Sequence, residues 1–182
     1  MAAVETSFAR LRTVADEVVS PKYSHLECER RWLVGSDTFS TLKATDPIDI
    51  NDLYLEGSRL RLREMRSGHI VSRKLTKKYE TQDACTRPIV TAYLDDNEFA
   101  LFATLPGNRI SKTRFRVVEG SHIFSVDVFG ADLAGLVIAE IEASDLASLA
   151  AIPRPSWAVR EITDSPAYQG GHLALFGIPE NT

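Results

Sequence analysis

The 182-residue chain has few of the features that mark membrane, nucleic-acid-binding or disulfide-stabilised proteins. No apolar run reaches the roughly 18 residues that a membrane-spanning helix requires, and the first residues, which include Glu5, form no apolar stretch typical of a secretory signal. The formal net charge of −4 indicates that the chain as a whole is no basic nucleic-acid binder. The two cysteines, Cys28 and Cys85, lack metal-ligand spacing. We therefore expect reduced thiols and a cytoplasmic protein.

The remaining composition is ordinary for a globular domain, with 44% hydrophobic and 25% charged residues. A chain of this length can bury a sizeable core, and it contains no long internal repeat. Apolar residues spaced three and four apart predict an amphipathic helix over residues 4–19, which Ser20-Pro21 ends. We therefore predict an N-terminal helical extension over residues 1–20 and a single domain over residues 21–182.

The segment around residues 25–34 alternates like a β-strand with one charged face. Glu27, Glu29 and Arg31 share that face, because successive side chains of a strand point to opposite sides. The opposite face is largely apolar, with Arg30 as the exception. The pattern predicts a strand that packs one side on a core and presents two carboxylates and a guanidinium on the other.

Other predicted strands carry cations in one phase and apolar residues in the other. Arginine alternates with leucine in the segment 59–63, and lysine and arginine alternate with other residues in the segment 111–117. Adjacent like charges repel, and the planar guanidinium suits phosphate oxygens, so these faces favour an anionic partner. The cations placed in this way are Arg61, Arg63, Lys74, Lys112 and Arg114.

A second acidic pair appears in the segment 136–142. Glu140 and Glu142 alternate with apolar residues there, as Glu27 and Glu29 do, and Asp127 lies alone on the preceding predicted strand. If these strands close into an antiparallel barrel, both sets of charges face one lumen, where a polyphosphate with divalent cations would complement them. A one-sided sheet with a solvated charged face has the same periodicity, so both architectures remain open on spacing alone.

A series of short motifs resembles the signature of the CYTH superfamily, the triphosphate tunnel enzymes. The series begins with Glu27-x-Glu29-x-Arg31 followed by Trp32-Leu33-Val34, and it extends over residues 25–175. The later motifs, in order, are Tyr54-Leu55, Arg59-Leu60-Arg61-Leu62-Arg63, Lys74, Lys112-Thr113-Arg114, Val126-Asp127-Val128-Phe129, Glu140-Ile141-Glu142 and Arg160-Glu161-Ile162-Thr163-Asp164. The resemblance implies an α+β fold, an eight-stranded antiparallel β-barrel with helices packed outside. It also implies Mg²⁺- or Mn²⁺-dependent chemistry on triphosphates.

The resemblance further implies roles for individual residues. Glu27, Glu29 and Arg31 become the catalytic candidates, although a guanidinium does not deprotonate and would be a poor base. The implied metal ligands are Glu27, Glu29, Glu140 and Glu142. The implied phosphate clamp is Arg61, Arg63, Lys74, Lys112 and Arg114, with Arg31 in support. Asp127 and Glu161 are lesser candidates for the tunnel.

The activity we expect is hydrolysis of inorganic triphosphate or of an organic triphosphate. A class IV adenylate cyclase is an alternative, although no adenine-reading motif is visible. A non-catalytic triphosphate-binding module is another, because the segment 89–94 has no acid where many members of the superfamily carry glutamates. The expected partner is a small-molecule triphosphate or nucleotide, with neither nucleic acid nor membrane, and a homodimer remains open.

Overall fold

The computed structural model of the protein describes residues 21–81 and 83–180, and within them eight antiparallel strands close into a barrel. The barrel order is β5-β4-β3-β2-β6-β7-β8-β1, and pairing of β1 with β5 closes it. The strands are β1 (His25–Val34), β2 (Ala44–Leu55), β3 (Leu60–Ser67), β4 (Ile70–Lys78), β5 (Thr86–Tyr93), β6 (Gly107–Glu119), β7 (His122–Phe129) and β8 (Val137–Ala143). The predicted helix over residues 4–19 lies outside the described residues.

Strand β1 is where the barrel closes. Along one edge it pairs with β8, from Cys28 to Leu33. Along the other edge, residues 25–28 pair with β5, and Trp32 to Val34 pair with a ninth strand, β9 (Ala158–Glu161). Both edges of β1 are therefore paired over most of the strand, which protects it from pairing with another chain.

The helices cover the outside of the barrel. They are α1 (Ser36–Thr41), α2 (Asp96–Ala103), α3 (Leu146–Ala151) and α4 (Gly170–Phe176). Asp95 begins α2 with a capping box, accepting hydrogen bonds from the backbone of Asn97 and Glu98. None of the helices among the described residues is both long and apolar enough to cross a membrane.

The core lies between these helices and the outward faces of the strands. The apolar face of β1 contributes Trp32, which is fully buried and meets Phe124 edge to face, with ring centroids 6.0 Å apart. Arg30, the exception in the alternation of β1, also faces outward, with its guanidinium 4.8 Å from the centre of the Trp32 ring. Its charge is balanced by a hydrogen-bonded pair with Glu161 of β9.

The closed eight-stranded barrel with helices outside confirms the fold expected from the motifs. One stretch differs from expectation. Residues 35–47 lack a strong pattern, yet they contain the short helix α1 and the first residues of β2. Helix α1 is a single short element with no buried residue, so it leaves no apolar periodicity for the sequence to reveal.

Candidate active site

A cavity of about 900 Å³ occupies the barrel lumen and is lined by both sets of predicted charges. Its volume lies within the range of ligand pockets, which is roughly 300–1,000 Å³. From the predicted set it brings together Glu27, Glu29, Arg31, Arg61, Arg63, Lys112, Arg114, Glu140 and Glu142. The charged phase of each of these strands therefore faces the lumen rather than solvent.

Three carboxylates form a cluster within this cavity. One oxygen each of Glu27, Glu29 and Glu142 lies within 4.8 Å of the others. Burial, followed by repulsion from Glu140, raises the pKa of the Glu29 carboxyl. Burial and repulsion from Glu27 likewise raise the pKa of Glu142. Converging carboxylate oxygens whose negative charge is incompletely balanced fit a hard divalent cation such as Mg²⁺ or Mn²⁺.

The fourth predicted metal ligand, Glu140, lies apart from this cluster of three. Its carboxylate accepts hydrogen bonds from Nε of Arg31 at 3.2 Å and from a terminal nitrogen of Arg114 at 2.6 Å. Burial acts to raise the pKa of Glu140, but Arg114, Lys112 and Arg31 outweigh it and hold the pKa well below its ordinary value. Glu140 is therefore an ionised group that is already neutralised by the arginines beside it.

Asp127 orders two cations of the predicted clamp. It is fully buried on β7, where it is hydrogen-bonded to Lys112 and forms a two-bond pair with Arg114 at 2.6 and 2.8 Å. Burial acts to raise the pKa of Asp127, but Lys112 and Arg114 outweigh it and the pKa is lowered. Asp127 lies behind the two cations and is not among the residues that line the cavity. Its carboxylate thus holds them in place from behind.

Asp52 does the same for Arg63. Its carboxylate, 1% exposed on β2, accepts bonds from Nε and a terminal nitrogen of Arg63 at 2.6 and 2.7 Å. Burial acts to raise the pKa of Asp52, but the charge and hydrogen bonds of Arg63 outweigh it and hold the pKa at about 2. Arg61 is held less firmly, because its Nε lies 3.9 Å from Asp52 and is buried with no hydrogen-bond partner among the described residues.

Arg31 anchors the end of the chain to the lumen. Besides its bond to Glu140, its guanidinium donates to the backbone carbonyl of Tyr168 at 3.0 Å, and its backbone N–H donates to Thr163. Helix α4 follows directly and packs closely against β2. A Cβ at Gly170 would lie 1.9 Å from the hydroxyl oxygen of Tyr54, so a residue without a side chain is needed at this contact.

Besides Asp127, two further predicted site residues, Lys74 and Glu161, are not among those that line the cavity. Lys74 lies opposite Arg63 in the β3–β4 register, but its ammonium is 5.0 Å from the centre of the Tyr93 ring. Glu161 is bonded to Arg30 on the outside of the barrel. The sequence of β9 does not reveal which of its faces points towards the lumen, because that depends on how β9 pairs with β1.

Sequence reasoning missed several charged residues of the cavity, and Asp52, Lys78 and Arg87 are those that lie on strands of the barrel. Lys78 is in phase with Lys74 on β4, and its ammonium is 2.5 Å from Glu27. Asp52 is in phase with Tyr54, which belongs to one of the motifs. Both could have been found from the sequence, because every second residue of a strand points to the same face and each of the two lies an even number of positions from its motif residue. Arg87 had no such signal, because its segment reads as a loop.

The comparisons with known proteins agree with this architecture. No protein-family model and no curated protein sequence matches the chain. The protein NE1496 has a similar structure, described once as an inorganic triphosphatase, with 24% identity over 82% of this chain and 94% of that one and a TM-score of 0.55. A second structure of NE1496, described as a hypothetical protein, gives 25% identity, coverage of 84% and 99%, and a TM-score of 0.56.

A third similar structure is the protein PH1819 from Pyrococcus horikoshii OT3. It is 18% identical over 68% of this chain and 82% of that one, with a TM-score of 0.52. At such identities the similarity establishes the fold. The chain shares its fold with these structures, and that fold is the closed eight-stranded barrel that its motifs predict.

The buried pair of Asp52 and Arg63 generates a prediction about stability. Asp52→Asn leaves the Arg63 charge buried without its carboxylate and should reduce the free energy of unfolding at pH 7 by about 3–5 kcal/mol. The lowered pKa of Asp52 stabilises the fold above about pH 4, by roughly 2 kcal/mol, and this is lost as the pH falls towards 2. Urea unfolding should therefore show the difference between wild type and variant narrowing from pH 5 to pH 2.

Asp132→Asn is the matched control, because Asp132 is exposed in the turn between β7 and β8. It should leave the free energy of unfolding nearly unchanged at every pH. A difference between wild type and Asp52→Asn that stays constant across the acid range would contradict the assigned pKa.

Proposed function

We propose that the protein is a metal-dependent triphosphatase that binds inorganic triphosphate or an organic triphosphate in the barrel lumen. One observation carries this proposal, namely that a single cavity contains both the three-carboxylate cluster and the arginines and lysine of the clamp. A chain of phosphates is a linear polyanion, so it matches a row of cations. A divalent cation held by the carboxylates matches the same oxygens. The fold shared with NE1496, described as an inorganic triphosphatase, supports the proposal.

The clamp is built to hold phosphate oxygens without first rearranging. Asp52 fixes the plane of Arg63, and Asp127 fixes Arg114 together with Lys112. Side chains ordered in this way lose little conformational freedom when the ligand arrives. In a partly dehydrated lumen their charges also stabilise the negative charge that shifts onto phosphate oxygens during phosphoryl transfer.

Glu27, Glu29 and Glu142 would hold Mg²⁺ or Mn²⁺, which supplies Lewis-acid polarisation of phosphate oxygens when bound. Binding of the cation would also change an ion pair within the protein. Lys78, now paired with Glu27, would give up that carboxylate and become available to phosphate. Burial and repulsion between carboxylates raise the pKa of Glu29 and of Glu142, and the charge of a bound cation would offset both effects.

Arg31 acts as a fixed positive charge at the closed side of the lumen. It stays charged because a guanidinium does not deprotonate, and its neighbours Glu140 and Glu29 raise its pKa even though burial opposes them. Its bonds to Glu140 and to the Tyr168 carbonyl hold it in place. We assign Arg31 to electrostatic support of the bound phosphates rather than to proton transfer from water.

A substrate panel tests the proposal. The protein is incubated with Mg²⁺ or Mn²⁺ and with inorganic triphosphate, ATP or thiamine triphosphate, and the products are identified. Release of orthophosphate supports hydrolysis. Pyrophosphate with cyclic AMP would instead indicate a cyclase, and tight triphosphate binding without turnover would indicate a binding module.

The carboxylate cluster predicts the behaviour of Glu29→Gln. The substitution keeps the shape of the side chain but removes one of three charges that hold the cation, so turnover should fall at least 100-fold while the far-UV circular dichroism stays unchanged. Glu180→Gln is the control, since Glu180 is exposed and does not line the cavity, and its activity should equal wild type. Full activity in Glu29→Gln would show that this residue is not needed to bind the metal ion.

The unpartnered Nε of Arg61 predicts a direct effect on affinity. Arg61→Ala removes a cation that the protein neutralises only weakly and that is therefore available to a phosphate oxygen. The dissociation constant for triphosphate should rise roughly tenfold or more. Calorimetry with imidotriphosphate, in which NH groups replace the bridging oxygens, measures binding without hydrolysis. Arg109→Ala is the matched control, because Arg109 is exposed on the opposite face of β6. Equal affinity in both variants would show that Arg61 does not touch the ligand.

A further inference from the structure

The cations that line the cavity differ in how fully the protein neutralises them. Those paired with a carboxylate are Arg31 with Glu140, Arg59 with Glu80, Arg63 with Asp52, Lys78 with Glu27, Lys112 with Asp127, and Arg114 with Asp127 and Glu140. Arg61 lies at the edge of an ion pair, 3.9 Å from Asp52. Of the lining cations within the described residues, only Arg87 has no ion pair with a carboxylate.

Arg87 is placed where an anion would approach the carboxylate cluster. It lies on β5 directly opposite Glu27 in the β1–β5 register. Although Glu27 is its neighbour across the strands, that carboxylate is bonded to Lys78 instead. The guanidinium of Arg87 donates to the side-chain carbonyl of Gln169 at 2.7 Å. A neutral amide satisfies one donor but leaves the positive charge unbalanced, and a guanidinium has five N–H donors.

From this imbalance, and resting on the proposed function, we propose that Arg87 is a further triphosphate-contacting residue. In the free protein Gln169 holds it, and in the complex it donates to a phosphate oxygen. The exchange of a neutral acceptor for a charged one strengthens the contact, because an ionised phosphate oxygen adds a Coulomb attraction to the guanidinium that the amide of Gln169 does not offer. The position beside Glu27 puts this contact next to the oxygens that a cation in the cluster would bind.

The same exchange connects ligand binding to the C-terminal segment. Gln169 immediately precedes α4, whose first glycine lies against Tyr54 in the wall of the lumen. The bond from Arg87 to Gln169 joins β5 to this segment across 82 positions of sequence. If Arg87 only anchors the C-terminal segment, then loss of Arg87 and loss of Gln169 should weaken ligand binding equally, because either loss removes the same bond. If Arg87 contacts phosphate, then only loss of Arg87 should weaken ligand binding. That asymmetry separates the two roles.

The test compares Arg87→Ala, Arg87→Lys and Gln169→Ala for imidotriphosphate binding by calorimetry in the presence of Mg²⁺. Arg87→Ala should raise the dissociation constant roughly tenfold or more, since it removes a hydrogen bond to a charged group. Arg87→Lys keeps the charge without the fork and should fall between this variant and wild type. Gln169→Ala should bind as tightly as wild type or more tightly, because Arg87 no longer has to leave a partner.

Arg109→Ala is again the control for loss of a positive charge, and thermal unfolding of each variant reports on the fold. Equal weakening by Arg87→Ala and Gln169→Ala would overturn the proposal, because it would mean that Arg87 only anchors the C-terminal segment. Unchanged affinity in Arg87→Ala and Arg87→Lys, with wild type binding, would overturn it while leaving the proposed function intact. A wild-type protein that binds no imidotriphosphate would refute both.

Discussion

Charge neutralisation inside a closed barrel is the constraint on which this lumen depends. In the part of the chain that the structure describes, eight cations and several carboxylates line one cavity, and a buried charge without a partner is costly. The barrel meets the constraint by pairing the cations of the clamp with carboxylates such as Asp52 and Asp127. These pairs balance the charges of the clamp within the protein, and they would hold the guanidinium groups in place for the negatively charged ligand that we propose.

The charges of the lumen are not neutralised to the same extent everywhere, and the least neutralised ones belong to the site that we propose. Glu140 forms ion pairs with two arginines, whereas among the described residues Lys78 is the only cation in an ion pair with the cluster of Glu27, Glu29 and Glu142. On the basic side, Arg63 and Arg114 are bound in two-bond pairs, whereas Arg61 and Arg87 are not. The carboxylate cluster therefore has excess negative charge, and the two arginines have positive charge that the protein does not fully neutralise. A polyphosphate with a bound metal ion would neutralise both.

The end of the chain is part of this electrostatic arrangement. Arg31 donates to the Tyr168 carbonyl, and Arg87 donates to Gln169, so two lumen arginines hold the segment that leads into α4. The helix closes one side of the cavity through the contact of Gly170 with Tyr54. A ligand that binds either arginine, as we propose, would therefore also act on the C-terminal segment that lines its own binding site.

The sequence by itself determined the strands and their charged faces, because a period of two is a local property that β1, β3, β6 and β8 each display. It could not decide between lumen and solvent, since both give the same period; closure of β1 onto β5 decided that. Nor could it separate Glu140 from Glu142, which look alike on β8. The register sets Glu142 opposite Glu29 and Glu140 opposite Arg31, so one joins the acidic cluster and the other an ion pair. Such partners lie more than 100 positions apart, and only the tertiary structure brings them together.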